Sequence, residues 1–195
     1  MSDKIIPRWE WRTFGSDFGE AELLIQKSGE PRIRESEEIY ILSANSGENT
    51  KIRFDLMDIK TLKATDDNGL EQWFPALKTG FPLQGEMLES VLSAWNIPIG
   101  NIDDDPYTLE RLLSDLVEPH EALGAVTVSK NRQGFLIDDC IVELADLTFD
   151  GKGIRSVAVE MENPQKVWNL VTRLGLSEFE NISYITALKQ HAGLE

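Results

Sequence analysis

Apolar and polar residues alternate along two parts of the chain, and each part therefore predicts a block of β-strands. The first block predicts strands at 5–14, 37–43, 50–54, 58–63 and 70–77, and the second at 122–137 (with a turn near Gly134), 139–148 and 154–162. Helical spacing predicts helices at 85–95 and 106–117 between the blocks, and at 17–27 and 164–175 elsewhere. This is the pattern of one domain over 1–195 with a helical insertion at 84–120.

Charged residues at spacing two mark four of the predicted strands. The segments are Glu10-Trp11-Arg12, Lys51-Ile52-Arg53, Lys130-Asn131-Arg132 and Glu160-Met161-Glu162. Because residues i and i+2 of a strand point to the same face, each segment places two charges side by side. Such pairs are either the solvent faces of antiparallel strands or the lining of a cavity. Their recurrence favours a cavity that binds a polyanion on the basic pairs and a divalent cation on the carboxylates.

Composition limits the partners. The 195 residues carry 19 Lys and Arg against 34 Asp and Glu, a formal net charge of −15 that argues against nucleic acid or an anionic membrane as partner. The single cysteine, Cys140, allows no intrachain disulfide and indicates a reducing, cytoplasmic location, and we expect neither a signal peptide nor a transmembrane segment. Only two histidines, His120 and His191, are present, which disfavours a histidine zinc site or a Ser-His-Asp triad.

One acidic stretch invites a different interpretation. Asp103, Asp104 and Asp105 follow one another between the two central helices. They lack the spacing and the central glycine of a calcium-binding loop, so we interpret them as carboxylates that cap the following helix.

The order of the charged segments resembles the CYTH family, the triphosphate tunnel metalloenzymes, which includes class IV adenylate cyclases, thiamine triphosphatases and inorganic tri- or polyphosphatases. The family begins with a Glu-x-Glu-x-Lys strand, where this chain has Arg8-Trp9-Glu10-Trp11-Arg12, and ends with a Glu-x-Glu strand, where it has Glu160-Met161-Glu162. Lys51-Ile52-Arg53, Lys60 and Lys130-Asn131-Arg132 stand at its basic strands. The resemblance implies an α+β fold, an antiparallel tunnel-like β-barrel with helices inserted between the two strand blocks and a C-terminal helix.

The same resemblance implies a metal-dependent phosphohydrolase that acts on a triphosphate or short polyphosphate with Mg²⁺ or Mn²⁺. A small phosphorylated polyanion would be bound through charge-assisted hydrogen bonds by Arg12, Lys51, Arg53, Lys60, Lys130 and Arg132. The implied metal ligands are Glu10, Glu160 and Glu162, and the implied catalytic residues are Glu160, Glu162 and Lys60. Glu143 either adds a carboxylate to this site or faces solvent.

Two positions depart from the family motif. Arg8 replaces its first glutamate and Arg12 its lysine. An arginine in place of a ligand weakens or relocates a metal site. Arg8 either marks a lost ligand position or has a new role, such as a second phosphate contact or a salt bridge to a facing glutamate. Two other hypotheses therefore stay open: a non-catalytic binder of a polyphosphate or nucleotide polyanion, and a structural or interaction barrel whose charges form cross-strand salt bridges. The sequence does not indicate the oligomeric state.

Overall fold

A computed structural model describes residues 6–98 and 105–194. Its strands are β1 (Trp9–Gly15), β2 (Arg32–Ser43), β3 (Ser46–Arg53), β4 (Leu56–Thr65), β5 (Glu71–Gly80), β6 (Leu123–Ile137), β7 (Cys140–Phe149) and β8 (Lys152–Met161). They form a closed barrel in the order β1-β5-β4-β3-β2-β6-β7-β8. The predicted antiparallel barrel and α+β class are confirmed.

Five α-helices accompany the strands in the described part of the chain. They are α1 (Gly19–Lys27), α2 (Gly85–Trp95), α3 (Leu109–Arg111), which continues as a π-helical turn at Leu112–Val117, α4 (Pro164–Arg173) and α5 (Tyr184–Ala192). A 3-10 turn lies at Leu176–Glu178. None of these helices combines the length and the apolar character needed to cross a bilayer. The acidic run predicted as a helix cap lies mostly outside the described residues, at Asp103 and Asp104.

Contacts divide the chain into two compact units, and strands β2, β4, β5 and β6 contribute to both. The first unit comprises the chain up to Ser36, Leu62–Phe74 and Ser129–Ser183. Its hydrophobic core includes Trp11, Val142 and Val159, from β1, β7 and β8, and helix α4 packs on these three strands. Because side chains alternate along a strand, residues such as Glu10, Arg12 and Glu160 lie on the opposite face from this core.

The second unit comprises Glu37–Thr61, Pro75–Val128 and the chain from Tyr184 onward. Its core includes Ile41, Ile52 and Met57 from β2, β3 and β4, together with Trp95 of α2. The same alternation turns the charged residues of β3 away from this core.

Two predicted strands differ from the structure, and one helix was not predicted. Strand β6 runs unbroken through Gly134, and the turn lies at Asp138 and Asp139, which both have positive φ. Lys130 and Phe135 are both buried, on opposite faces of this strand, because even and odd positions alternate between its two faces. Strand β2 begins at Arg32 rather than at residue 37. Helix α5, whose apolar face is buried, was missed.

Candidate anion-binding site

Arg12 is buried on β1, with 6% of its surface exposed. Its Nε donates to Glu10 Oε1 at 2.6 Å, and its Nη1 donates to Ser156 Oγ at 3.4 Å and lies 3.5 Å from Glu143 Oε1. The register pairs Ala158 of β8 with Arg12 on one side and Glu143 on the other. The small Ala158 side chain leaves room for the guanidinium to reach Glu143, which therefore belongs to this cluster.

Three glutamates lie side by side across β5, β1 and β8. Glu10 is paired with Glu71 on one side and with Glu160 on the other. Like charges directly opposite each other destabilise a sheet. Burial raises the pKa of Glu71, a hydrogen bond from Trp73 Nε1 at 3.1 Å opposes the rise, and the Glu10 carboxylate adds to it. Sequence reasoning missed Glu71, because its neighbour at spacing two is an uncharged tryptophan.

Arg8 lies one residue before β1, and its Nη1 is 3.6 Å from Glu160 Oε2. This contact is the salt bridge to a facing glutamate that the sequence left open as a role for Arg8. Glu162 lies one residue beyond the end of β8 and is exposed. Of the three predicted metal ligands, Glu10 and Glu160 are therefore direct neighbours, and Glu162 lies outside the strand.

On β6, Lys130 and Arg132 lie on one face of the strand and the exposed Asn131 lies on the other. Lys130 is buried, with 6% of its surface exposed. Arg132 is half-buried and donates from Nη2 to Ser36 Oγ at 3.1 Å, whereas its Nε is buried without a hydrogen-bond partner among the described residues.

Sequence reasoning missed a further basic pair, Arg32 and Arg34. Because β2 begins at Arg32, spacing two places both arginines on the face of Ser36, whose hydroxyl accepts the bond from Arg132. The signal was present as Arg32-Ile33-Arg34, but the strand was predicted to begin later.

In the second unit, Lys51 and Arg53 share a buried carboxylate, that of Glu38. Glu38 Oε2 lies 3.2 Å from Lys51 Nζ, and Oε1 lies 3.3 Å from Arg53 Nη1. The Tyr40 hydroxyl donates to the same carboxylate at 3.2 Å. Burial lowers the pKa of Lys51, and the Glu38 carboxylate opposes this change. The sequence did not single out Glu38, since alternation predicts the face of a strand residue but not its depth.

Lys60 joins this second group. It is paired with Asn49 of β3, and Asp58, two residues earlier on β4, is paired with Lys51. The alternation therefore places Lys60 on the same face as Lys51, and its positive charge lowers the pKa of Lys51 further. The structure thus groups Lys51, Arg53 and Lys60 in the second unit, while Arg12, Lys130 and Arg132 belong to the first.

A divalent metal of the kind that the resemblance implies needs several hard oxygen ligands that converge on one point. In the part of the chain that the structure describes, no three His, Cys, Asp or Glu side chains are placed so that they hold a metal ion together. Glu10 and Glu160 instead each face a guanidinium group, from Arg12 and Arg8. The chain's own cations therefore stand beside two of the carboxylates that the resemblance implies as metal ligands.

Comparisons with known proteins find similarity in structure only. No family model matches the chain, and no curated protein matches it. The solved structure of HpAC1 from Hippeastrum matches with a TM-score of 0.53 and 11% identity, over 94% of this chain and 96% of that one. HpAC1 is described as an adenylyl cyclase candidate with a dominant triphosphatase activity.

Two further solved structures match the chain over most of its length. The PH1819 protein of Pyrococcus horikoshii OT3 matches with a TM-score of 0.51 and 14% identity, over 93% of this chain and 99% of that one. The adenylate cyclase candidate bh2851 from Bacillus halodurans matches with a TM-score of 0.50 and 15% identity, over 95% and 98%. These neighbours have the CYTH-type tunnel barrel, so the resemblance is confirmed at the level of the fold.

Proposed function

We propose that the chain binds a triphosphate or short polyphosphate on the lysines and arginines of its strands. The observation that carries the proposal is the burial of Arg12 and Lys130, each 6% exposed, on strands of a protein whose net charge is −15. Burying a cation is costly, so two buried cations on the strands of an acidic protein indicate a specific role for their charges. A phosphate chain is a ligand that such a set of lysines and arginines recognises. HpAC1, which shares the fold, has a dominant triphosphatase activity.

The residues proposed to contact the phosphate chain are the six that the sequence indicated: Arg12, Lys51, Arg53, Lys60, Lys130 and Arg132. Lysine and arginine contribute differently. The ammonium groups act as point charges, whereas the planar guanidinium groups bind two oxygens at once. Arg8 and Arg12 also neutralise the glutamate row, so the binding step itself needs no divalent ion.

Metal-dependent hydrolysis of the bound chain remains the hypothesis that the resemblance implies. Among the described residues, the row formed by Glu71, Glu10 and Glu160 places three carboxylates side by side in the first unit. The catalytic roles of Glu160, Glu162 and Lys60 stay predictions, as does the use of Mg²⁺ or Mn²⁺.

One experiment tests binding and hydrolysis separately. Isothermal titration and thermal unfolding with tripolyphosphate in EDTA measure binding, since a ligand that binds only the folded state stabilises it. We expect stabilisation of the wild type, a loss of at least about tenfold in affinity in Lys130→Met, and no change in Lys152→Met, which alters an exposed lysine at the start of β8.

The outcomes separate the hypotheses. Binding in EDTA supports the proposal. Phosphate release on adding Mg²⁺ or Mn²⁺, measured by malachite green, supports metal-dependent hydrolysis as well. If tripolyphosphate neither binds nor is hydrolysed, with or without metal, the chain is a structural or interaction barrel and the proposal fails.

A further inference from the structure

A cavity of about 420 Å³ opens beside the phosphate-binding residues of the first unit. We call it the arginine pocket. Its basic lining comes from Arg32, Arg34 and Arg132, and its apolar lining from Phe135, Leu136 and Ile141. The pocket therefore combines charge and apolar surface, which is the usual composition of a small-molecule site.

The guanidinium groups of this pocket have donors that the described residues do not use. The guanidinium groups of Arg32 and Arg34 form no ion pair or hydrogen bond within residues 6–98 and 105–194. Arg132 donates from Nη2 to Ser36, yet its buried Nε has no partner among the described residues. A buried donor without an acceptor destabilises the fold, and an oxyanion held by several guanidinium groups removes that defect.

Two carboxylates also line the arginine pocket. Glu143 lies 3.5 Å from Arg12 Nη1, so its charge is already engaged outside the pocket. Glu30 lies in the segment just before β2 and is exposed to solvent. The arginines thus outnumber the carboxylates, and the pocket favours an anion.

The apolar wall is unusually open to solvent. Leu136 is 71% exposed and Ile141 is 36% exposed, although each lies within a strand, β6 or β7. Isolated exposed apolar residues are common, but here they line the same cavity as the arginines. Burying this surface under a ligand is favourable in proportion to the apolar area removed from water.

We propose that the arginine pocket binds an organic phosphate ester, with its phosphate on Arg32, Arg34 and Arg132 and its apolar body on Leu136 and Ile141. The inference rests on the proposed function, because Arg132 belongs to both sites. It narrows the ligand to a phosphate compound that carries an apolar organic group, in contrast to a purely inorganic chain. Arg32, Arg34, Leu136 and Ile141 then determine specificity.

The test compares two ligands that differ only in the apolar body, inorganic phosphate and phenyl phosphate. Both are titrated in EDTA into the full chain, and tripolyphosphate is titrated alongside. We expect phenyl phosphate to bind about tenfold more tightly than phosphate, because the phenyl ring covers Leu136 and Ile141.

Variants locate the site. Leu136→Ser should abolish the preference for phenyl phosphate, and Arg34→Ala should weaken both single-phosphate ligands by about tenfold. The matched controls are Leu24→Ser, at an exposed leucine of α1, and Arg173→Ala, at an exposed arginine of α4, and both should bind as the wild type does. These surface substitutions are expected to leave the fold intact, which thermal unfolding verifies.

The outcomes distinguish this inference from the proposed function. If tripolyphosphate binds but phenyl phosphate binds no better than phosphate, the pocket inference is overturned and the proposed function stands. The pocket inference is equally overturned if the preference survives Leu136→Ser. If phenyl phosphate binds in the pocket and tripolyphosphate does not bind, the proposed function fails and the pocket inference holds.

Discussion

Arg8 shows how one residue changes the chemistry of a charged motif. Its guanidinium lies 3.6 Å from Glu160, in the row where the resemblance implies a carboxylate and a metal. A fixed positive charge on the chain performs part of the neutralisation that a divalent ion would otherwise supply. The arginine thus supplies positive charge at a position where the resemblance implies a metal ligand.

The first prediction concerns this position. Arg8→Glu replaces an attraction to Glu160 with repulsion and adds an oxygen ligand beside Glu10. In EDTA we expect the variant to be less stable than the wild type by roughly 0.5–1 kcal/mol, because like charges then face each other. Added Mn²⁺ should raise its unfolding temperature more than that of the wild type.

The matched control is Arg8→Gln, which removes the charge and adds no ligand. Thermal unfolding with and without Mn²⁺ and Mn²⁺ titration by electron paramagnetic resonance measure the effect. Equal Mn²⁺ stabilisation of all three proteins would contradict the view that the arginine stands in a potential metal position.

The second prediction follows from the burial of Lys51. Because burial lowers its pKa below the usual 10.5, the ammonium loses its proton at a lower pH than in the unfolded chain. The unfolded chain therefore binds that proton more tightly than the folded chain does. As pH rises toward 10.5, the contribution of Lys51 increases the free energy of unfolding, so the folded state becomes more stable. Phosphate binding shows the opposite trend, since it needs the charged form.

We therefore expect tripolyphosphate affinity to fall as pH rises from 7 toward 10, and to fall less steeply in Lys51→Arg, whose charge persists. Isothermal titration across this range measures both curves. Parallel curves for the two proteins would show that Lys51 does not contact the ligand.

The sequence allowed us to predict which face of a strand a residue occupies. It did not allow us to predict how deeply the side chain is buried or which residues it contacts. Spacing two correctly placed Lys51 beside Arg53 on one face of β3. Nothing local distinguished the buried Glu38 from the exposed Glu37 before it, because burial depends on what the barrel brings opposite. The same limit hid Glu71, whose importance arises only from its pairing with Glu10.

At the scale of elements, the register of β1, β8 and β7 makes a small residue necessary at Ala158. This residue is paired with both Arg12 and Glu143, and it is 1% exposed. A larger side chain on the same face would occupy the space that the Arg12 guanidinium crosses.

The third prediction is that Ala158→Leu lowers stability by about 1–3 kcal/mol, as overpacking does, and also weakens tripolyphosphate binding. Ala158→Ser, which adds little volume, should retain both properties. Urea unfolding and isothermal titration give the two values. A leucine variant with wild-type affinity would mean that the position of Arg12 is unimportant for binding.

Elements whose sequences carry a clear period were predicted well, and those with a competing signal were not. Helix α2 was predicted at 85–95 and is found at Gly85–Trp95. In β6, Gly134 was interpreted as a turn, although the strand continues through it. Helix α5 has buried apolar residues at helical spacing, but its short length made the pattern weak.

At the scale of the whole molecule, the acidic net charge is opposite in sign to the basic residues proposed to bind phosphate. The chain has a net charge of −15, whereas the buried charged residues of the described part are Arg12, Lys130 and Glu38. A polyanion is therefore repelled at long range and attracted at short range. Salt affects these two interactions differently, because ions screen exposed charges far more than buried ones.

The last prediction uses this difference. Raising the ionic strength from about 0.01 to about 0.15 M shortens the Debye length from roughly 30 to 8 Å and screens the repulsion between tripolyphosphate and the acidic surface. The association rate constant should therefore rise by about three- to tenfold, which is opposite to the behaviour of a ligand steered toward a basic surface. Stopped-flow tryptophan fluorescence measures this rate, and potassium chloride in place of sodium chloride separates ionic strength from effects of the cation. If the rate instead falls with salt, exposed arginines such as Arg32 and Arg34 control the approach of the ligand, and the net charge of the chain does not.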